Sequence, residues 1–523
     1  MKRFVTLERE QEMRVAVTIL TMLALAAGSL YGGATAQPPP TPAQEQPEVL
    51  TRGPVHEAFA EPVNLEFQAG LVAPTQPPPN IEEIPPADRP AGDHFVWVPG
   101  YWSWDGDRNS YIWVSACWRA APPDMSWVPG YWAAVNGGWE WVAGFWTPSG
   151  AQEIEYLPAP PTSDDVRAPG PPPSADRMWV PPCQYWNQNQ YIRRPGYWLA
   201  AQPGWVWAPS HYVRTPRGYV FCAGHWDYAL EDRGMLFAPV YFPPSVYGRA
   251  QFTYSPSIVV DLGGLTASLF VYPRYSHYYF GDYYDDAYVR IGIYPRFEGE
   301  RMHIWYDPIY QYDRWHQRRT EPRWEERERH EYDLRRADRD LRPARTYREM
   351  ETRLAQPDQP ARKNLRLAQP LTKVLASKTT SLKFEQINTG ERQKIAKQAI
   401  EVRKFREQRN QWESTPADAK RGQLPTANKE AVTPPMERKQ PPPPTERKQP
   451  PTPPTERKAA PVPPREIRPT QPDRVKIPAP PVAGKPTVPG AVRKGPPARP
   501  ADEHKAPPEI KDTRKDQAKN KSD

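Results

Sequence analysis

The fold is decided by two adjoining copies of one pattern, Met125-Ser-Trp-Val-Pro-Gly-Tyr-Trp132 and Trp139-Glu-Trp-Val-Ala-Gly-Phe-Trp146. In the second copy Trp139 and Trp141 alternate with Glu140, which places both indoles on one face of a β-strand. Proline followed by glycine suits a turn, because proline fixes φ and glycine accepts positive φ. The two copies therefore predict short strands joined by tight bends.

The pattern extends in both directions from these copies, and 16 of the 20 tryptophans lie between Trp97 and Trp226. Corresponding positions repeat every 14 residues within two blocks, 95–146 and 178–226, which a proline-rich linker at 147–177 separates. A fixed period indicates a repeated supersecondary unit. Fourteen residues are enough for about one hairpin, so we predict tandem 14-residue β-hairpin repeats in which the Pro-Gly corner is a turn, a wider bend or a bulge.

These copies resemble the YXWGXW (WXXGXW) repeat of exported bacterial proteins. The resemblance covers residues 95–226 and is weaker where Ala116 or Ser210 replaces the glycine. The layout of the chain is also similar to that of large secreted proteins of planctomycete-type bacteria. The resemblance implies a location and a module type, and it implies no catalytic residue.

The N-terminus has the pattern of a secretory signal peptide covering residues 1–36. Val15 to Leu30 is an apolar run preceded by Arg14, and small residues lead to Ala36 before Gln37. This pattern predicts cleavage between Ala36 and Gln37, with Met1 or Met13 as the initiator. We expect an exported protein in the periplasm, at the cell surface or outside the cell, with no transmembrane span after the signal is removed.

The remaining sequence predicts a chain that is mainly β in its ordered half, followed by charged helices. Four further regions are predicted, namely a Pro/Glu-rich linker at 37–94, a small second sheet at 227–313, charged helices at 314–413 and a disordered, proline-rich basic tail at 414–523. The second sheet is predicted to include a short strand at Val289-Arg-Ile-Gly-Ile-Tyr294. A capping box at Asn388 to Glu391 predicts the start of a helix that ends near Glu413.

Charge is divided unevenly along the chain. Residues 37–300 contain 15 arginines, no lysine and 27 acidic residues, whereas residues 301–523 contain 50 basic and 31 acidic residues. An acidic half followed by a basic half indicates a tail that meets a polyanion or the acidic half of the same chain. The alternative is a tail whose charge keeps it in solution.

Few residues have the pattern of a chemical site. The densest polar cluster contains His277, Asp282, Asp285 and Asp286, which could ligate a cation or form an acidic surface loop. No set of nucleophile, base and orienting group is recognisable, so we expect no catalytic residue, metal or cofactor, with a metal-dependent hydrolase as the remotest alternative. Three cysteines occur, at 117, 183 and 222; two of them could pair, or each could fill an apolar position of a repeat.

The tryptophans are the main candidates for a binding surface. If one indole per unit is exposed, the platform consists of Trp102, Trp132, Trp146 and Trp198, in the final position of the motif; the alternative is that the indoles fill the core. The sequence thus predicts a non-enzymatic structural or adhesive envelope protein whose tail contacts an envelope polymer or protein. A carbohydrate-binding module is the alternative function, and export argues against nucleic acid as a partner.

Overall fold

The computed structural model describes residues 46–162, 167–356, 366–377, 380–414, 472–478, 480 and 482–483. The chain forms two compact units. One has residues up to 47 together with 243–250, and its described part contains the single-turn helix α1 (Pro244–Tyr247), which begins after Pro243 and ends at Gly248. The other contains residues 48–242 and 251 onward, and the strands, the hairpins and the remaining helices described below belong to it.

The repeats form 16 strands. Their bounds are β7 (Phe95–Val98), β8 (Tyr101–Asp105), β9 (Ser110–Val114), β10 (Cys117–Ala120), β11 (Met125–Val128), β12 (Tyr131–Val135), β13 (Gly138–Val142), β14 (Phe145–Pro148), β16 (Arg177–Val180), β17 (Cys183–Asn187), β18 (Gln190–Arg194), β19 (Tyr197–Ala200), β20 (Trp205–Ala208), β21 (His211–Thr215), β22 (Gly218–Cys222) and β23 (His225–Tyr228). The predicted repeated β structure is therefore confirmed, and the described part of the chain is rich in small antiparallel sheets.

The pairing shows that one hairpin takes two repeats instead of one. In each set of four strands the inner two pair with each other and the outer two pair with each other, as in β12 with β13 and β11 with β14. Each 14-residue repeat is thus one strand bent in the middle, and 28 residues make one long bent hairpin. We number these hairpin 1 (95–120), hairpin 2 (125–148), hairpin 3 (177–200) and hairpin 4 (205–228). The Pro-Gly step is the bend, as the wider-bend alternative predicts.

The segment predicted as a linker at 37–94 is ordered from residue 46. It forms six short strands, β1 (Glu48–Val49), β2 (Gly53–Pro54), β3 (Val63–Asn64), β4 (Val72–Ala73), β5 (Glu82–Glu83) and β6 (Asp88–Pro90). Each of the six pairs with a strand distant in sequence, and β4 adds to hairpin 2 through β13. Val55 and Phe59 are buried between these strands. The linker prediction is wrong here because short strands tolerate proline while their apolar neighbours enter the core.

The remaining strands lie between and after the hairpins. Their bounds are β15 (Glu153–Tyr156), β24 (Gly234–Leu236), β25 (Val240–Tyr241), β26 (Thr253–Tyr254), β27 (Ile258–Val260), β28 (Leu269–Tyr272), β29 (His277–Phe280), β30 (Tyr294–Pro295), β31 (Trp305–Tyr306), β32 (Ala368–Pro370), β33 (Phe384–Gln386), β34 (Asp473–Lys476) and β35 (Val482–Ala483). One core cluster includes Val98 and Trp127 of the hairpins together with Val271 and Phe280 of the second sheet. The second sheet therefore shares its core with the repeats and is not a domain of its own.

Two predicted segments have a different structure. Asp286–Ile291 is the helix α3, ended by Gly292 at φ 98°, so the strand predicted at Val289–Tyr294 is wrong. Val289 and Ile291 are exposed, so their alternation does not mark the buried face of a strand. In the predicted disordered tail, β34 pairs with β15 over four residues and Ile477 is buried. The strand β15 itself lies in the predicted linker 147–177.

The helices follow and interleave with the second sheet. They are α2 (Leu262–Thr266), α3, α4 (Gly299–Met302), α5 (Pro308–Arg318), α6 (Trp324–Ala337), α7 (Tyr347–Leu354), α8 (Leu371–Ala376) and α9 (Thr389–Glu413), with 3-10 turns at Leu230–Asp232, Pro273–Tyr275, Arg296–Glu298 and Arg339–Leu341. The capping box at Asn388 and Glu391 is present as predicted. The α9 face with Ala399, Val402 and Phe405 is buried, so this helix docks on its own chain. Within the described residues, no helix combines the length and the hydropathy that crossing a membrane requires.

Candidate functional site: the corners of the tryptophan hairpins

The rings of the repeats meet as cross-strand pairs on both sides of every corner. In hairpin 2, Trp127 faces Trp146 and Trp132 faces Trp141, with ring centroids 5.1 and 5.4 Å apart and the planes steeply inclined. The same geometry recurs in all four hairpins, in the pairs Trp97–Trp118, Trp102–Trp113, Trp179–Trp198, Trp186–Tyr191, Trp207–Trp226 and Tyr212–Phe221. Inclined aromatic pairs add about 0.5–1.5 kcal/mol each beyond their burial.

The glycine of the motif lies directly under an indole of the opposite strand. A Cβ placed on Gly144 would lie 2.3 Å from Cζ2 of Trp127, and one on Gly130 would lie 2.6 Å from Cζ2 of Trp141. In hairpin 3 the corresponding distance from Gly196 to Trp179 is 2.3 Å. At these three positions the spacing of tryptophan and glycine thus has a steric cause, since only a hydrogen atom fits between the bent backbone and the facing ring.

A buried glutamate binds the backbone at the corner of hairpin 2. The carboxylate of Glu57 accepts hydrogen bonds from the amides of Gly130 (3.0 Å) and Gly144 (3.1 Å), and from the indole Nε1 of Trp141 (3.3 Å). Bent strands leave these amides without ladder partners, and a buried unpaired amide is costly. Burial raises the pKa of Glu57, while the two glycine amides and Arg406 act in the opposite direction.

A buried arginine from the other end of the chain completes the same corner. Nη1 of Arg409 in α9 donates to the carbonyl oxygens of Pro129 and Ala143, both at 2.9 Å, and its Nε donates to Glu413 at 2.9 Å. Neither Arg409 nor Glu413 is exposed to solvent. The carboxylate of Glu413 also accepts the hydroxyls of Tyr131 and Tyr156. Together Glu57 and Arg409 satisfy both amides and both carbonyls, and we call this arrangement the corner clamp.

Hairpin 1 has a related clamp built from different residues. The carboxylate of Glu83 accepts from the amides of Gly100 (3.0 Å) and Ala116 (3.1 Å), and Nε2 of His56 lies 3.2 Å from the carbonyl oxygen of Pro99. Burial raises the pKa of Glu83 to about 7, whereas the two backbone amides act to lower it. Ala116 replaces the motif glycine here without loss of the clamp.

The predicted aromatic platform is not formed. Trp102, Trp132 and Trp146 are 1, 8 and 4 % exposed, so three of its four members belong to the core and cannot meet a ligand. Trp198 is half-buried and pairs with Trp179, which is also half-buried. Cross-strand pairing explains the difference from the prediction, because each indole of a hairpin covers another indole and the glycine beneath it.

The cysteines occupy positions in the strands, as the apolar alternative predicts. Cys117 and Cys222 are buried free thiols in β10 and β22. Cys183 is half-buried at the start of β17, where its thiol donates to the carbonyl oxygen of Gln184 at 3.4 Å. Burial raises the pKa of both Cys117 and Cys222. The possible disulfide is therefore not present.

The polar cluster at 277–286 is divided between the strand β29 and ion pairs with arginines. His277 lies in the buried strand β29 instead of a surface loop, with Nε2 2.6 Å from the hydroxyl of Tyr101, and burial lowers its pKa to about 3. Asp282 pairs with Arg345 at 2.8 Å and Asp285 with Arg342 at 2.9 Å. Within the described ranges, no three His, Cys, Asp or Glu side chains are grouped as metal ligands. The signal cleavage residues Ala36 and Gln37 lie outside the described residues.

The clamp residues are the ones that the sequence alone does not reveal. Glu57 and Glu83 lie in a proline-rich stretch, and nothing in that stretch distinguishes them from solvated glutamates. The i,i+4 spacing of Arg409 and Glu413 is a weak signal, since most such pairs lie on exposed helix faces. Arg409 and Glu413 continue the apolar face of α9 that contains Val402 and Phe405, and this is the one sequence pattern that indicates their burial.

The bent hairpins and their clamps define a β-repeat scaffold whose rings and glycines set the geometry. Residues 92–119, 123–147 and 203–226 match the family WXXGXW repeat (2 copies), so this chain carries the repeats of that family. Each match corresponds to one bent hairpin, namely hairpins 1, 2 and 4. Comparisons with curated proteins and with solved structures gave no match.

Proposed function

We propose that this protein is an exported, non-enzymatic structural protein of the cell envelope. Its WXXGXW hairpins serve as a scaffold, and its basic, proline-rich tail contacts anionic envelope polymers or proteins. The observation that carries the proposal is the burial of the paired indoles around clamped corners, which uses the aromatic side chains to hold the fold together. The signal pattern ending at Ala36 supports export.

The composition of the tail supports its role as the contacting segment. Residues 414–523 contain 23 basic and 13 acidic side chains, and Glu-Arg-Lys recurs at 437, 446 and 456 between proline runs. Proline-rich chain is semi-rigid and extends about 3 Å per residue, so such a segment can reach through a polymer layer. Arginine and lysine at intervals along it favour polyanions.

The tail is tested by binding of the full chain to immobilised dextran sulfate as a polyanion probe. Replacing the three Arg-Lys pairs at 438–439, 447–448 and 457–458 with Gln-Gln should weaken binding at least tenfold at low salt and flatten its salt dependence. A control chain carries six Arg→Gln changes at Arg249, Arg274, Arg290, Arg323, Arg339 and Arg348, all in the ordered part.

Equal binding by both variants, or binding of the parent chain that does not change with salt, contradicts the proposed role of the tail.

Export is tested separately by N-terminal sequencing of the protein from fractionated cells. A mature chain beginning at Gln37 agrees with the proposal, and a cytosolic chain with its leader intact contradicts it.

Carbohydrate binding is a second candidate, and one observation favours it. The indoles of Trp179 and Trp198 in hairpin 3 are half-buried, unlike those of hairpin 2, and an indole face that remains accessible can stack on a sugar ring.

A further inference from the structure

A cleft of about 910 Å³ lies beside hairpin 3. Its walls come from Trp179 and Trp198 of that hairpin, from β31 with Trp305 and from α5 with Trp315. Ligand sites in proteins are commonly about 300–1,000 Å³, so this volume lies at the upper end of that range.

One wall of the cleft is aromatic. Trp179 and Trp198 face each other across β16 and β19 at 5.3 Å between ring centroids, and both remain half-exposed. Flat indole faces with accessible area pack against the C–H faces of pyranose rings, as they do against other apolar rings. This is the only one of the six tryptophan pairs in which both rings are half-exposed.

The cleft is also strongly basic. Its lining includes one aspartate, Asp307, and seven arginines, of which five are exposed: Arg167, Arg177, Arg301, Arg318 and Arg319. Five of the seven already pair with carboxylates of the chain: Arg177 with Asp176, Arg296 with Asp313 and Glu328, Arg301 with Glu298, and Arg314 and Arg318 with the shared Glu325. Guanidinium groups bind carboxylates in a bidentate manner, so arginines that already hold carboxylates at this surface favour a carboxylated ligand over a neutral one.

The inner part of the cleft carries buried polar atoms. Among the described residues, Nε1 of Trp305 and Oδ2 of Asp307 have no hydrogen-bond partner, although these residues are only 2 and 4 % exposed. Oδ1 of Asp307 accepts from the Tyr278 hydroxyl and from the amide of Tyr310. Burial raises the pKa of Asp307 to about 6. Both residues line the cleft, and both atoms are buried beneath its surface.

We propose that this cleft binds an acidic oligosaccharide whose sugar rings carry carboxylates of the uronic-acid type. The indoles of Trp179 and Trp198 stack on the rings, and the exposed arginines pair with the carboxylates. An acidic peptide would use the arginines but would leave the indole faces without flat rings. This proposal deepens the second candidate function, rests on it, and is independent of the tail.

The test is a fluorescence titration of the full chain with hexagalacturonate, with neutral cellohexaose of equal length as comparison, at 150 mM salt. No tryptophan follows Trp412, so the tail carries no indole of its own. We expect a saturable change with hexagalacturonate and at least tenfold weaker binding of cellohexaose. The double variant R318Q/R319Q should weaken hexagalacturonate binding by about tenfold or more.

The matched control is R290Q/R348Q, which removes the same charge from exposed positions outside the cleft and should bind like the parent chain. Equal weakening in both double variants, equal affinity for the two sugars or no indole change overturns the proposal. Competition by hexaglutamate at the same affinity, lost in R318Q/R319Q, also overturns it in favour of a peptide. None of these results bears on the proposed role of the tail, which is tested separately by dextran sulfate binding and the three Arg-Lys pairs.

Discussion

Hairpins 2 and 3 share a sequence pattern and a strand pairing, yet they have different surroundings. In hairpin 2 the paired indoles are buried, and Glu57 and Arg409 hold all four corner groups. In hairpin 3 the pair Trp179–Trp198 is half-exposed and lines a cleft. The repeat therefore specifies the bent hairpin, whereas segments outside the repeat decide whether that hairpin becomes core or surface. This division separates hairpin 2, which is part of the core, from hairpin 3, which is partly exposed.

The largest effect should come from removing the clamp arginine. Arg409→Met leaves Glu413 as a buried charge without its partner, together with two carbonyls without donors, and should lower the free energy of unfolding by about 3–5 kcal/mol. The matched change Arg194→Met in hairpin 3 removes an arginine that is not fully buried and should cost about 1 kcal/mol or less. Urea unfolding of both variants measures the difference.

If the double variant R409M/E413L is as unstable as R409M alone, the unpaired charge of Glu413 does not cause the loss of stability in R409M. If R409M and R194M are equally stable, the corner clamp has no energetic role and the comparison between the two hairpins fails.

The next effect concerns pH and the clamp of hairpin 1. Burial raises the pKa of Glu83 from 4.5 to about 7, so the folded chain holds a proton that the unfolded chain has released. Between these two values the contribution of Glu83 to stability falls as pH rises, and below 4.5 it is constant because both states are protonated. The full loss is on the order of 3 kcal/mol. Glu83→Gln removes this titration.

The measurement is the free energy of unfolding at pH 5 and pH 8 for the parent chain and for E83Q. The parent chain should lose more stability between the two pH values than E83Q does, and the control Glu82→Gln, at an exposed neighbour, should follow the parent chain. An identical pH dependence for parent and E83Q contradicts the raised pKa.

The smallest expected loss of stability comes from replacing the motif glycines of hairpins 2 and 3 with alanine. Gly144→Ala forces a methyl against the buried ring of Trp127 and should cost about 1–3 kcal/mol, whereas in Gly196→Ala the half-exposed ring of Trp179 can move, and the cost should be lower. Gly106→Ala, with nothing within 4 Å of the added atom, serves as control. Thermal unfolding of the three variants checks the order, and equal shifts for Gly144 and Gly196 would show that burial does not matter.

Sequence periodicity predicts the repeats and the capped helix α9 because both depend on local rules. Strand alternation, the bend at Pro-Gly and the Asn388 capping box are all set within a few residues. The partners of those elements are set by contacts over hundreds of residues, as between Glu57 and Gly144 or between Arg409 and Pro129. Composition gave the wrong result for residues 46–94, since a proline-rich stretch with few apolar residues can still be ordered when each of its short strands finds a distant partner.

The tryptophan content of the sequence likewise did not distinguish a binding surface from a core. A row of indoles in a sequence is equally compatible with a sugar-binding face and with a core, and the choice depends on which side of the hairpin is covered. Trp198 is half-exposed and Trp146 is buried, although both occupy the same position in the motif. The cleft could not be predicted from the sequence because its arginines come mostly from α5 and the segments beside it, more than 100 residues from hairpin 3.

The corner clamp of hairpin 2 also fixes when the molecule can finish folding. Glu57 and Arg409 are 352 residues apart, so at about 5–20 residues per second the ribosome needs roughly 20–70 s to supply the second after the first. During that time hairpin 2 has its glutamate without its arginine, and its indoles lack the cover of α9. The last turns of α9 therefore set the earliest moment at which the buried charges of this corner can be paired.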